Sequence, residues 1–233
     1  MFRPCGRLFA LPVVFSSICL SGVAVTVSML PHYWPEAVRA LRRNDPVLRR
    51  LIKQYPGVAL ASRGAPFSTL VRSIVGQQIS VKAADSVWSR LTSHLPEMSP
   101  DAVLRMSTED LRSCGLSARK VEYISDLAGH FMAGRIHVDT WPEMPDADII
   151  DELTDVRGIG EWTAQMFLMF NLLRPDVLPL DDIGLQKAAA LHYFAGQRPT
   201  RLQLTELGEN WRPWRSVATW YLWRSLDPVP VEY

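Results

Sequence analysis

Apolar residues recur three to four positions apart along nearly the whole chain after His32. Trp34, Ala37, Val38 and Leu41 form one such set, and Val47, Leu48, Leu51 and Ile52 the next. Residues 67–91 read as one long buried helix or two closely joined ones, with Leu70, Val71, Ile74, Val75, Ile79, Ala83, Ala84, Val87 and Leu91 inward. Ser99-Pro100 and Ser107-Thr108-Glu109-Asp110 look like helix starts, with acids in the first turn. Further helical patterns at 117–132, 146–154, 162–172, 183–194, 200–210 and 213–226 bring the total to about ten helices. No stretch alternates long enough to make a strand. The pattern predicts an all-α, two-lobed helical bundle with a cleft between the lobes.

One segment does not fit that bundle. Residues 8–27 (LFALPVVFSSICLSGVAVTV) carry no charge and follow Arg3 and Arg7. Length and hydropathy suit a transmembrane anchor or a secretory signal. A third reading takes Met29 as the natural start and residues 1–28 as an upstream extension of the reading frame. Only Cys114 lies beyond residue 28, so no disulfide can form within the rest, which argues against a secreted protein. The third reading is preferred: 1–28 lie outside the domain, and 29–233 form it.

At 48% hydrophobic and 21% charged, the chain has an ordinary globular composition, which excludes collagen-like, coiled-coil and disordered classes. The net charge of +1 averages unlike segments. Residues 39–90 hold ten Lys/Arg against Asp45 and Asp85, a net of +8. Residues 97–182 hold seven basic against seventeen acidic side chains, a net of −10. Charge by itself fits either a solvated helix face or a flank for a polyanion.

The run Leu153-Thr154-Asp155-Val156-Arg157-Gly158-Ile159-Gly160-Glu161-Trp162-Thr163-Ala164 places a Gly-Ile-Gly turn between two helices. Two glycines allow positive φ and leave backbone N–H groups bare at a helix N-terminus, where a phosphate oxygen can bind. A plain tight turn has the same pattern. Its wider form, L-x-x-x-x-G-I-G-x-W-T-A, resembles the helix–hairpin–helix of the base-excision DNA glycosylases. Leu178-Pro179-Leu180-Asp181-Asp182-Ile183-Gly184 resembles the segment carrying their essential aspartate. Ile74-Val75-Gly76-Gln77-Gln78-Ile79-Ser80 is similar to their DNA-intercalating helix–loop. Trp211-Arg212-Pro213-Trp214-Arg215-Ser216-Val217-Ala218 is similar to the W-x-P-W-R-S-x-A of the DNA-3-methyladenine glycosylase II branch. The likeness runs from about Trp34 to Leu226.

The resemblance implies hydrolysis of the glycosidic bond of a flipped-out alkylated base in double-stranded DNA, by a monomer with no membrane association and a cytoplasmic location (at the nucleoid in a bacterium). Asp182 matches the catalytic carboxylate, with Asp181 as the helix cap beside it. Trp162, Met166 and Trp223 match pocket positions, the indole faces serving a cationic purine. Gln78 stands where the family inserts a side chain, Gln77 is structural, and Ser68, Arg72 and Lys82 flank them. Gly158, Ile159, Gly160 and Thr163 are the hairpin contacts to the DNA backbone.

No Cys follows Cys114, so the iron–sulfur loop of some relatives cannot be built. Trp162 occupies the place where lyase-competent relatives carry a lysine, and Lys120 and Lys187 do not match it; strand cleavage is not expected. Trp211, Trp214 and Trp220 are assigned to the core. His130, His137 and His192 fit no metal-ligand spacing. A monovalent cation on the carbonyls of Thr154, Val156 and Ile159 would be structural. The alternatives are a non-catalytic helix–hairpin–helix DNA-binding protein and a glycosylase for oxidised purines, the latter disfavoured by Trp162.

Overall fold

In the computed structural model the residues described are 30–226, apart from 58, 63 and 96. The uncharged segment 8–27 lies outside them. The apolar repeats become α1 (Trp34–Asn44), α2 (Pro46–Gln54), α3 (Pro66–Gly76), α4 (Val81–His94), α5 (Pro100–Arg105), α6 (Thr108–Ser113) and α7 (Ala118–Met132). They are followed by α8 (Asp146–Thr154), α9 (Glu161–Phe170), α10 (Ile183–Tyr193), α11 (Arg201–Glu209) and α12 (Arg215–Leu226). Twelve helices thus stand among the described residues against about ten expected, with no strand. None of these helices is long and apolar enough to cross a membrane.

Short polar side chains set most of the starts. Ser80, Ser99, Ser107, Ser117 and Thr200 each accept a backbone N–H two or three residues inside the following helix. The run 67–91 is two helices, because the chain leaves helical geometry at Gln77 and restarts at the Ser80 cap. Between them Gln78 takes φ +58°, which ends a helix as glycine commonly does.

Two groups of helices share one continuous core. The chain ends form one: α1, α2, α10 and α12 pack on one another. The middle forms the other, with α3, α5 and α6 against α7, α4 against α3, and α8 against α9. The helix α9 is buried all round beyond its first turn, with every residue from Thr163 to Phe170 buried, and it touches α3. Trp211 and Trp220 are buried, and Trp214 stacks on Tyr33 at 5.8 Å, so all three tryptophans serve packing as expected.

A buried carboxylate locks the terminal group. Asp45 Oδ1 caps α2 by accepting the N–H of Val47 and Leu48, at 2.8 and 3.0 Å. Its Oδ2 accepts the Tyr193 hydroxyl at 2.8 Å and the Trp211 indole N–H at 3.1 Å. Burial, and then the neighbouring Asp45 charge, push the Tyr193 pKa up, so the phenol remains a donor. Asp45→Ala removes the cap and leaves two buried donors unpaired. It is expected to cost roughly 3–5 kcal/mol in denaturant unfolding; a loss under about 1 kcal/mol would show that water replaces the carboxylate.

Candidate active site

Asp182 sits where the two helix groups meet, on α10 of the terminal group and opposite the first turn of α9. The turn Pro179–Asp182 closes with a 3.0 Å backbone bond and delivers the carboxylate to the N-cap of α10. Its Oδ1 accepts the Leu185 N–H at 2.6 Å and the Trp223 indole N–H at 2.7 Å. Its Oδ2 accepts the Trp162 indole N–H at 3.0 Å. Asp182 is therefore the cap, whereas Asp181, expected in that role, is exposed and pairs with Arg201 at 2.5 Å. The carboxylate is buried, 8% exposed, with no ion pair among the described residues. Three neutral donors orient it, and a carboxylate has about four acceptor directions. The one left over is on Oδ2.

The two tryptophans come together at Asp182. Both direct the N–H edge of the indole at the carboxylate, and one face of Trp223 is covered by Phe170, stacked at 5.9 Å and 9°. Trp162 remains 37% exposed. Met166 lies one turn along α9 and is buried in the core.

Sequence reasoning passed over two residues here. A Cβ on Gly184 would lie 3.0 Å from Trp223 Cδ1 and 3.1 Å from Asp182 Oδ1, so glycine lets the indole reach the acid. Its signal was a glycine in the first turn of a helix, where propensity disfavours it. Phe170 repeats Met166 and Trp162 at intervals of four, which places the three on one face of α9.

The W-x-P-W-R-S segment anchors the strand of chain that leads to Asp182. Arg215 clamps Asp176 with Nε at 2.7 Å and Nη2 at 3.0 Å, and Arg212 adds a contact at 2.8 Å. Ser216 Oγ accepts the Val177 N–H at 2.9 Å, and its own N–H reaches Pro175 O at 3.0 Å. These bonds fix residues 175–177, and Gln186 Nε2 holds Leu180 O at 2.7 Å.

The hairpin between α8 and α9 treats its two glycines differently. Gly158 has φ +84°, and a Cβ there would lie 2.1 Å from the Tyr123 ring. Gly160 has φ −96° and ψ 171°, an ordinary extended conformation, so positive φ is not its reason. A Cβ on it would meet nothing within 4 Å. Gly160 caps α9 without a side chain, and the N–H groups of 160–163 have no partner among the described residues. Ile159 and the Thr163 side chain are buried, so these two offer only backbone outward. Of the three hairpin carbonyls considered for a cation, that of Val156 accepts the Ile159 N–H at 3.1 Å. No cluster of His, Cys, Asp and Glu suited to a metal occurs among the described residues.

Gln78 is exposed at the tip of the α3–α4 loop, and Gln77 Nε2 donates to Gly158 O at 2.8 Å. Arg72 is engaged by Asp85 and lies over Trp88 at 5.3 Å, and Lys82 is exposed. A shallow groove on α10, lined by Ile183, Gln186, Lys187, Ala190, Leu191, Gly196 and Arg198, includes neither Asp182 nor Trp162, Leu185 and Trp223, which hold its carboxylate.

Residues 71–213 match the model of the HhH-GPD superfamily base excision DNA repair proteins. The chain is 30% identical to DNA-3-methyladenine glycosylase 1 of Schizosaccharomyces pombe, over 79% of this chain and 83% of that protein. It is 31% identical to the putative DNA-3-methyladenine glycosylase YfjP of Bacillus subtilis, over 77% of this chain but only 66% of the longer relative. The crystal structure of a DNA-3-methyladenine glycosidase from Bacillus halodurans is similar to it at TM-score 0.77 and 36% identity, covering 82% of this chain and 89% of that one.

Proposed function

Since this chain belongs to the HhH-GPD superfamily of base excision DNA repair proteins, we propose that it is a monofunctional DNA glycosylase that releases alkylated purines of the 3-methyladenine type from double-stranded DNA. The observation carrying this reading is the buried Asp182 carboxylate, held by two indoles and a helix amide, with one acceptor direction of Oδ2 uncommitted.

The chemistry follows from the leaving group. A purine methylated at a ring nitrogen is already cationic, so departure from C1′ needs no general acid. What it needs is stabilisation of positive charge growing on the sugar, which a fixed, desolvated carboxylate supplies. The free direction of Oδ2 can also orient or deprotonate the attacking water. The flipped nucleotide reaches that oxygen past Trp162, whose exposed ring can stack on the base for about 0.5–2 kcal/mol.

The DNA backbone is held elsewhere. The bare N–H groups at 160–163 and the open space at Gly160 suit one phosphate. Arg39, Arg42, Arg43, Arg49, Arg50 and Lys53 on α1 and α2 are exposed, and none makes an ion pair among the described residues. Such a surface adds sequence-independent attraction to DNA. The lyase route lacks its nucleophile: Trp162 takes the lysine's place, and Lys120 Nζ is engaged by Val75 O at 2.7 Å.

Base release from duplexes carrying 3-methyladenine, 7-methylguanine, hypoxanthine, ethenoadenine or 8-oxoguanine tests the proposal. Alkylated purines are expected in the supernatant, with the strand left intact until alkali is added and no adduct trapped by borohydride. A protein inert on methylated duplex overturns the activity; a trapped adduct overturns the monofunctional assignment.

A further inference from the structure

Gln78 combines exposure with a left-handed backbone, φ +58°, that residues other than glycine seldom adopt. An exposed loop tip has no packing of its own to impose that geometry, so its neighbours must. Two side-chain bonds tie the base of the loop to distant parts of the chain. Lys120 Nζ, from α7, donates to Val75 O in the last turn of α3 at 2.7 Å. Gln77 Nε2 donates to Gly158 O at 2.8 Å. Burial lowers the Lys120 pKa, in keeping with an amine drawn inside the structure.

The same helix, α7, holds the hairpin. The Tyr123 ring occupies the space beside Gly158, and Asp126 Oδ2 accepts the Arg157 N–H at 2.9 Å. Glu122 pairs with the Arg157 guanidinium at 2.5 Å. The loop tip and the hairpin are thus fastened to one rigid element and, through Gln77, to each other.

We infer that Gln77 and Lys120 are positioning residues that hold the Gln78 tip in its left-handed form, pre-set in register with the hairpin, before DNA arrives. The hairpin grips a phosphate while the tip fills the gap of the flipped nucleotide. A fixed distance between them makes phosphate binding and gap filling one event, with no ordering of the loop on the DNA. The inference rests on the glycosylase reading for its purpose, but it concerns base unstacking and can be measured without excision.

The test uses the whole protein with Gln77→Ala and Lys120→Met, each checked for an unchanged melting profile. The probe is a duplex carrying a 2-aminopurine next to an alkylated base, and the readout is fluorescence at saturating protein. The wild type is expected to give a clear rise, and each variant a rise several-fold smaller, with Kd changed less than about threefold because the hairpin amides remain. In parallel, excision should fall about tenfold from a lesion with a normal partner and less than twofold from one facing an abasic gap, where the base is already unstacked. No rise with wild type, full amplitude in both variants, or an equal fall on both substrates overturns the positioning role. A wild type that raises fluorescence but releases no base leaves this inference standing and sinks the glycosylase reading instead.

Discussion

Asp182→Asn is expected to bind DNA nearly as well as the wild type and to release alkylated bases about 10²–10⁴-fold more slowly. The amide oxygen can stay where Oδ1 is, accepting from Leu185 N–H and the Trp223 indole, so the cap of α10 survives. The new NH₂ then faces the Trp162 N–H across a position that the carboxylate spans at 3.0 Å. Two donors cannot share it, and the indole must turn away. The variant therefore loses both the negative charge beside C1′ and the orientation of its most exposed neighbour. Single-turnover excision, measured beside Kd for a duplex with an uncleavable abasic analogue, separates these effects from binding. Excision within tenfold of wild type would mean that another group stabilises the sugar. Asp182→Ala is the less informative change, because it also removes the helix cap at a cost of about 1 kcal/mol.

The two hairpin glycines should part company just as sharply. Gly158→Ala puts a methyl group 2.1 Å from the Tyr123 ring at φ +84°, so the hairpin or α7 must move. A stability loss of about 2–4 kcal/mol is expected, together with loss of DNA binding. Gly160→Ala places its methyl in open space with a backbone that alanine adopts freely. Its melting temperature should stay close to wild type, while affinity for duplex falls about tenfold, because the methyl stands where a phosphate would approach the 160–163 amides. Thermal melts and salt-matched binding curves check the pair. Equal stability losses in both would remove the distinction between a glycine needed by the fold and one needed by the ligand.

That distinction could not be read from Gly-x-Gly, which treats its two glycines alike. Tyr123 decides it, and Tyr123 comes from a helix 35 residues earlier in the sequence. The same limit explains why Asp181 looked like the cap. Either of two adjacent aspartates can precede a helix, and the Pro179–Asp182 turn selects which one faces inward. The tryptophans add a contact that periodicity does not carry, the N–H edge of each indole on the Asp182 carboxylate. Sequence shows that a ring is present; whether its face or its N–H edge meets a neighbour depends on packing such as Phe170 against Trp223.

The sequence by itself determined most of the helices, the starts at Ser99 and Ser107 and the four ordered motifs. These depend on neighbours within about four residues, the range over which a helix satisfies its own backbone. Only the tertiary structure decided which carboxylate is held at the junction of the two helix groups and which groups hold it. It also made W-x-P-W-R-S a brace for the loop bearing Asp182, through Arg215 and Ser216 bonds that span 39 residues. Bonds of that span arise from packing that brings distant segments together, and local periodicity carries no record of the partner.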